Sequence, residues 1–103
     1  MQALLKNKKE AIQQICRMYG VKRLYAFGSV VSEEEFREDS DIDFLVSFSD
    51  DLSIEDYTNN YFTLHYKLRH LLQREIDLVT ERALSNPYFI ESINSSKRLI
   101  YES

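Results

Sequence analysis

Residues 25–48 read YAFGSVVSEEEFREDSDIDFLVSF, and this stretch decides how the chain folds. An apolar run stops at Gly28-Ser29, a charged segment follows, and a second apolar run opens with Asp41 and Asp43 at alternate positions. Side chains two apart on a strand project from one face, so these two carboxylates lie side by side. Aspartate is a poor strand former, and neighbouring carboxylates repel, so a covered strand carrying both needs compensation. A divalent cation supplies it, and hard oxygen donors suit Mg²⁺ or Mn²⁺.

The flanking sequence fits around this strand. Ile42 to Val46 is apolar apart from Asp43, as expected of a strand covered on both faces. Arg23 to Phe27 predicts a preceding strand broken by Gly28. Upstream, Leu5, Ile12, Ile15, Cys16 and Tyr19 recur at helical spacing, predicting a helix over residues 2–19 that ends at Gly20. Downstream, Tyr61, Leu64, His65, Leu68, Leu71 and Leu72 form an i, i+3, i+4 stripe over residues 54–73.

Ile76 to Thr80 is a third strand, interrupted at Asp77 as the second is at Asp43. Ser85-Asn86-Pro87 marks a helix start running to about residue 95, and Arg98 to Tyr101 predicts a closing edge strand. Ser32-Glu33-Glu34-Glu35 reads as a capping-box start of a short helical turn. The expected class is α/β or α+β, a small mixed sheet of three to four strands packed by helices within one domain, residues 1–103.

Composition narrows the function. The chain has 103 residues, 44% of them hydrophobic, with seven Tyr and six Phe, which predicts a folded domain rather than a disordered tail. A formal charge of −4 lacks the basic excess of general nucleic-acid binders. One cysteine, Cys16, rules out an internal disulfide, and without a signal segment or long apolar span the expected location is the cytoplasm, not a membrane.

If the second and third strands are neighbours, Asp41, Asp43 and Asp77 meet on one patch of sheet. Three acids with open coordination positions are what two-metal phosphoryl or nucleotidyl transfer requires. From the other side, Gly28 lets backbone approach a ligand, and the Ser29 hydroxyl with the amides of its turn can hold phosphate oxygens. Eleven residues separate Ser29 from Asp41.

Other readings of the same residues stay open here. Residues 39–43 open like a calcium-binding EF-hand loop, but Phe44 stands where that loop needs glycine. Asp41 and Asp43 could be turn residues, and Asp77 could be a strand-edge acid paired with Arg74 or Arg82. His65 and His70 lack partners at zinc spacing and read as core-edge residues. Lys67, Arg69 and Arg74 read as a solvated face.

FGSVVSEEEFREDSDIDFLVSF together with EIDLVT resembles the minimal nucleotidyltransferases of the DNA polymerase beta superfamily, with RLIYE resembling the family's closing strand. The resemblance implies that Gly28 and Ser29 bind the nucleoside triphosphate and that Asp41 and Asp43 hold two Mg²⁺ ions, with Mn²⁺ as the alternative. It further implies that Asp77 completes one metal site and helps deprotonate the acceptor hydroxyl.

The implied reaction moves a nucleoside monophosphate, AMP from ATP, onto a hydroxyl. The implied acceptor is a tyrosine of a small helical HEPN-type partner, with this chain as the antitoxin of a toxin–antitoxin pair in a homo- or hetero-oligomer. The chain departs from the family at Val30-Val31-Ser32-Glu33, where relatives carry a basic, glycine-containing turn; Arg37 is the nearest basic residue. That departure keeps a second reading open, an antitoxin with weak or no catalysis that neutralises its partner by binding alone.

Overall fold

The computed structural model describes residues 2–103. In chain order the elements are α1 (Ala3–Met18), β1 (Val21–Phe27), a 3₁₀ turn (Gly28–Val31), β2 (Ile42–Phe48), α2 (Ile54–Leu72), β3 (Ile76–Thr80), a second 3₁₀ turn (Glu81–Ala83), α3 (Pro87–Ser96) and β4 (Arg98–Glu102). The four strands form one sheet in the order β3-β2-β1-β4. β1 runs antiparallel to both β2 and β4, while β2 and β3 are parallel. The expected small mixed sheet packed by helices is therefore what the chain forms.

Strand alternation sorts the side chains into two layers. Ile42, Phe44, Val46 and Phe48 of β2 join Leu24, Ala26, Ile76 and Leu78 in a core with Leu5, Ile12 and Cys16 of α1 and Leu64, Leu68 and Leu72 of α2. Cys16 is fully buried there, and burial pushes its thiol up to about 12, so it is an inert packing group. On the opposite face Phe27 and Leu45 pack against Ile93 of α3, with Tyr25, Val79 and Leu84 around them. Helices thus cover both faces, which accounts for the near-continuous apolar run in β2.

The long helix starts and stops by familiar chemistry. Ser53 caps α2 by accepting from Asp56 N at 3.1 Å, and Glu55 and Asp56 complement the positive end of the helix dipole. Asn86 caps α3, with Pro87 in its first turn. Just past the end of α1 at Met18 and its C-cap Tyr19, Gly20 has a φ of +71°, a left-handed conformation that glycine adopts cheaply.

One local expectation shifts. The helical turn lies at Gly28–Val31, before the segment where the capping-box pattern placed it. Ser32 Oγ does accept from Glu34 N and Glu35 N, each at 3.2 Å, but residues 33–35 close into a turn without becoming a helix. Buried Val30 holds the turn one step earlier, because an apolar side chain seated in the core outweighs an exposed cap. Among the described residues no helix is long and apolar enough to cross a membrane.

Candidate active site

The parallel pairing of β2 with β3 puts Asp43 directly opposite Asp77 in register. Both alternate with residues of the main core, Phe44 and Leu78 among them, so both carboxylates stand on the face that α3 only partly covers. Asp41 immediately precedes β2, and Ile42 N donates to Glu75 O at 3.0 Å, continuing the ladder to the end where Asp41 lies. Asp43 is half-buried, whereas Asp41 and Asp77 are exposed.

Burial is the main cause that lifts the Asp43 carboxyl from its ordinary value to about 6, and the nearby Asp77 and then Asp41 carboxylates add to it. Three like charges facing one patch are costly in water-poor surroundings, and a cation is the group that removes the cost. All donors are hard carboxylate oxygens, which fits Mg²⁺ or Mn²⁺. Among the described residues no three such side chains are already drawn in around one point, and mutual repulsion favours the spread arrangement.

Gly28 closes the site from the β1 side. Its φ is +75°, and a Cβ placed on it would lie 2.5 Å from Asp43 Oδ2. Glycine is therefore required twice, by backbone conformation and by the close approach of main chain to carboxylate. Ser29 follows, half-buried, and its carbonyl accepts from Ser32 N at 3.0 Å to close the turn. Gly28 N lies 3.5 Å from Ser96 Oγ at the end of α3. The turn contains no basic side chain.

The arginines proposed as structural partners of Asp77 are engaged elsewhere. Arg74 donates from Nη2 to the carbonyls of Arg37 and Ser40, and its guanidinium lies 4.4 Å from the centre of the Phe36 ring. Arg82 lies 4.5 Å over the Tyr57 ring. Arg74 also does not belong to a solvated helix face, since it lies beyond the end of α2.

Three further residues touch the site's framework in a way their sequence reading as stripe, core-edge and solvated residues did not anticipate. Tyr61 Oη donates to Leu78 O at 2.6 Å, His65 Nε2 lies 2.9 Å from Ile76 O, and Arg74 reaches Ser40 O. Leu78 and Ile76 flank Asp77, and Ser40 precedes Asp41. Tyr61 itself has its hydroxyl pushed up, first by burial and then by Asp77 and Tyr57. The only sequence signal is weak: Tyr61 and His65 lie one helical turn apart at the polar border of the α2 stripe.

Comparison with known proteins follows the same lines. The family model for the nucleotidyltransferase domain matches residues 8–100. A Methanocaldococcus jannaschii protein provisionally named a protein adenylyltransferase, MJ0126, is 35% identical over 98 residues, covering 95% of this chain and 89% of its own. A solved structure described provisionally as a minimal nucleotidyltransferase superposes with a TM-score of 0.67 at 33% identity, over 91% of this chain and 90% of the other. A structure of tri-AMPylated Shewanella oneidensis HEPN toxin in complex with MNT antitoxin aligns with a TM-score of 0.65 at 21% identity, over 95% of this chain and 72% of that one, a likeness of fold. The chain belongs to the nucleotidyltransferase domain family and, within it, to the minimal nucleotidyltransferases.

Proposed function

We propose that this chain, as one domain over residues 1–103, is a metal-dependent nucleotidyltransferase that transfers AMP from ATP to a hydroxyl acceptor. The observation that carries the reading is the in-register pair Asp43–Asp77, joined by Asp41 and faced by Gly28. Asp41 and Asp43 would hold two Mg²⁺ ions and Asp77 would complete one of the sites. Bound there, the ions would supply charge neutralisation at the reacting phosphate and the leaving pyrophosphate.

The chain's own residues divide the remaining work. Gly28 and Ser29 would bind the triphosphate, with Gly28 keeping the carboxylate edge open to it. The acceptor hydroxyl attacks the α-phosphorus, the bond to pyrophosphate breaks, and the hydroxyl proton passes to Asp77, the exposed member of the facing pair. Catalysis would then rest on positioning and charge, as phosphoryl transfer demands.

The acceptor we propose is a tyrosine of a HEPN-type partner, which this chain would silence as the antitoxin of a toxin–antitoxin pair in the cytoplasm. Support comes from relatives named as protein adenylyltransferases and from the HEPN–MNT complex that shares the fold. A second reading, neutralisation by complex formation alone, draws on the turn after Ser29, which lacks a basic side chain and commits Val30 to the core.

Incubation of the chain and a candidate HEPN partner with α-labelled ATP and Mg²⁺ separates the two. Label on the partner that disappears with Asp41→Ala plus Asp43→Ala supports the transferase. Tight binding to a genuine partner without any transfer establishes the second reading and overturns the first.

A further inference from the structure

Asp43 lies on a strand laddered on both sides, by β1 and β3, but the other two carboxylates lack that support. Asp41 ends the irregular segment leading into β2, and Asp77 rides on β3, an edge strand with a single neighbour. An edge strand leaves alternate carbonyls without ladder partners. In β3 these are the carbonyls of Ile76 and Leu78, the two that bracket Asp77.

Both are taken by α2. Tyr61 Oη donates to Leu78 O at 2.6 Å, and His65 Nε2 lies 2.9 Å from Ile76 O. A carbonyl oxygen only accepts, so His65 meets it with the hydrogen on Nε2. Asp41 is held in the same manner. Arg74 Nη2 donates to Ser40 O at 2.6 Å and to Arg37 O, its guanidinium stacks on Phe36, and Glu75 O accepts from Ile42 N at 3.0 Å. The peptide groups on either side of Asp41 are thus tied to consecutive residues, Arg74 and Glu75.

We infer that Tyr61, His65 and Arg74 are positioning residues, which fix the outer carboxylates Asp77 and Asp41 through neighbouring backbone carbonyls so that both reach a cation shared with Asp43. The inference rests on the proposed nucleotidyl-transfer reading. Sealing a sheet edge would by itself explain Tyr61 and His65, but not Arg74, which grips a loop outside the sheet. What the three share is a bond beside a site carboxylate. Outer-shell partners of metal ligands typically control affinity by about ten- to a hundredfold.

The test measures Mn²⁺ binding by electron paramagnetic resonance, with and without a non-hydrolysable ATP analogue, beside thermal melting and steady-state kinetics. Tyr61→Phe, His65→Leu and Arg74→Met remove one donor each, while His65→Gln restores a donor and Arg74→Lys keeps charge without the planar fork. We expect each donor-removing variant to melt near the wild type yet bind Mn²⁺ about tenfold more weakly. kcat should fall in step while KM for ATP stays close to wild type, and His65→Gln should recover most of the loss. In metal-free protein, amide exchange over residues 38–43 should rise in Arg74→Met and not in Tyr61→Phe.

Wild-type Mn²⁺ affinity in Tyr61→Phe and Arg74→Met would overturn the inference while leaving the transferase intact. Weakening that tracks loss of folded protein would also overturn it. A wild-type chain that neither binds Mn²⁺ nor transfers a nucleotide would overturn the functional reading itself.

Discussion

Gly28 and Asp43 sit so close that the backbone of one forms a wall for the carboxylate of the other, with only 2.5 Å between Asp43 Oδ2 and where a methyl on Gly28 would be. Gly28→Ala therefore meets two penalties, a left-handed φ and a contact that forces the Asp43 carboxylate aside. Together they should cost roughly 1–3 kcal/mol of stability, read by thermal or denaturant melts. Transfer activity should fall further than stability predicts, because the displaced carboxylate is a proposed metal ligand. A variant as stable and as active as wild type would show that the turn does not form the wall.

The raised value of Asp43 gives a pH dependence in the metal-free protein. The folded state holds this proton up to about pH 6, while the unfolded chain releases it near the ordinary carboxylate value of 3.8. Between those values the folded state binds more protons, so this group's contribution to stability falls as pH rises through the window and stays lost above it. Asp43→Asn removes the charge and should raise metal-free stability at pH 8 by about 1 kcal/mol, discounted for partial exposure. The gain should vanish near pH 4. Equal melting of the two proteins at pH 8 would remove the electrostatic cost assigned to the site.

Mg²⁺ should reverse that ranking. A cation that binds only the folded wild type raises its melting temperature with concentration, and Asp43→Asn should lose most of the response. Because the ligand must be deprotonated, the Mg²⁺ effect on wild type should weaken as pH falls below about 6. Melts across a Mg²⁺ series at pH 8 and pH 5 check both statements; a response unchanged in Asp43→Asn would place the ion elsewhere.

Ile93 anchors α3 to the site face of the sheet and is almost fully buried against Phe27 and Leu45. Ile93→Ala should cost about 2–5 kcal/mol. Loosening of α3 should show as faster amide exchange at Gly28, which lies against Ser96 at the end of that helix. Protection at Gly28 that survives the substitution would mean the turn is held independently of α3.

Local pattern carried much of the architecture. The stripe of Leu64, Leu68 and Leu72 and the runs around Asp43 and Asp77 gave α2, β2 and β3 almost to their ends, because periodicity is a property of adjacent residues. The facing of Asp43 and Asp77 was legible only on the condition that β2 and β3 are neighbours, and that pairing depends on the whole sheet. Arg74 was read as solvated for the same reason: its partners Arg37 and Ser40 lie more than thirty residues upstream, beyond any local pattern. The helical turn was placed too late because a polar cap is visible in sequence, whereas the burial of Val30 is a fact of the core.

The register between β2 and β3 also acts as an error check during folding. Slipping β3 by a single residue would turn Asp77 into the layer occupied by Ile76 and Leu78, stranding a charge among α1 and α2 and exposing both aliphatic groups. The correct alignment is thus favoured by the same carboxylate that is proposed to complete the metal site. Neutral replacements such as Asp77→Leu would relax that discrimination, so loss of activity there should be accompanied by more than one strand alignment.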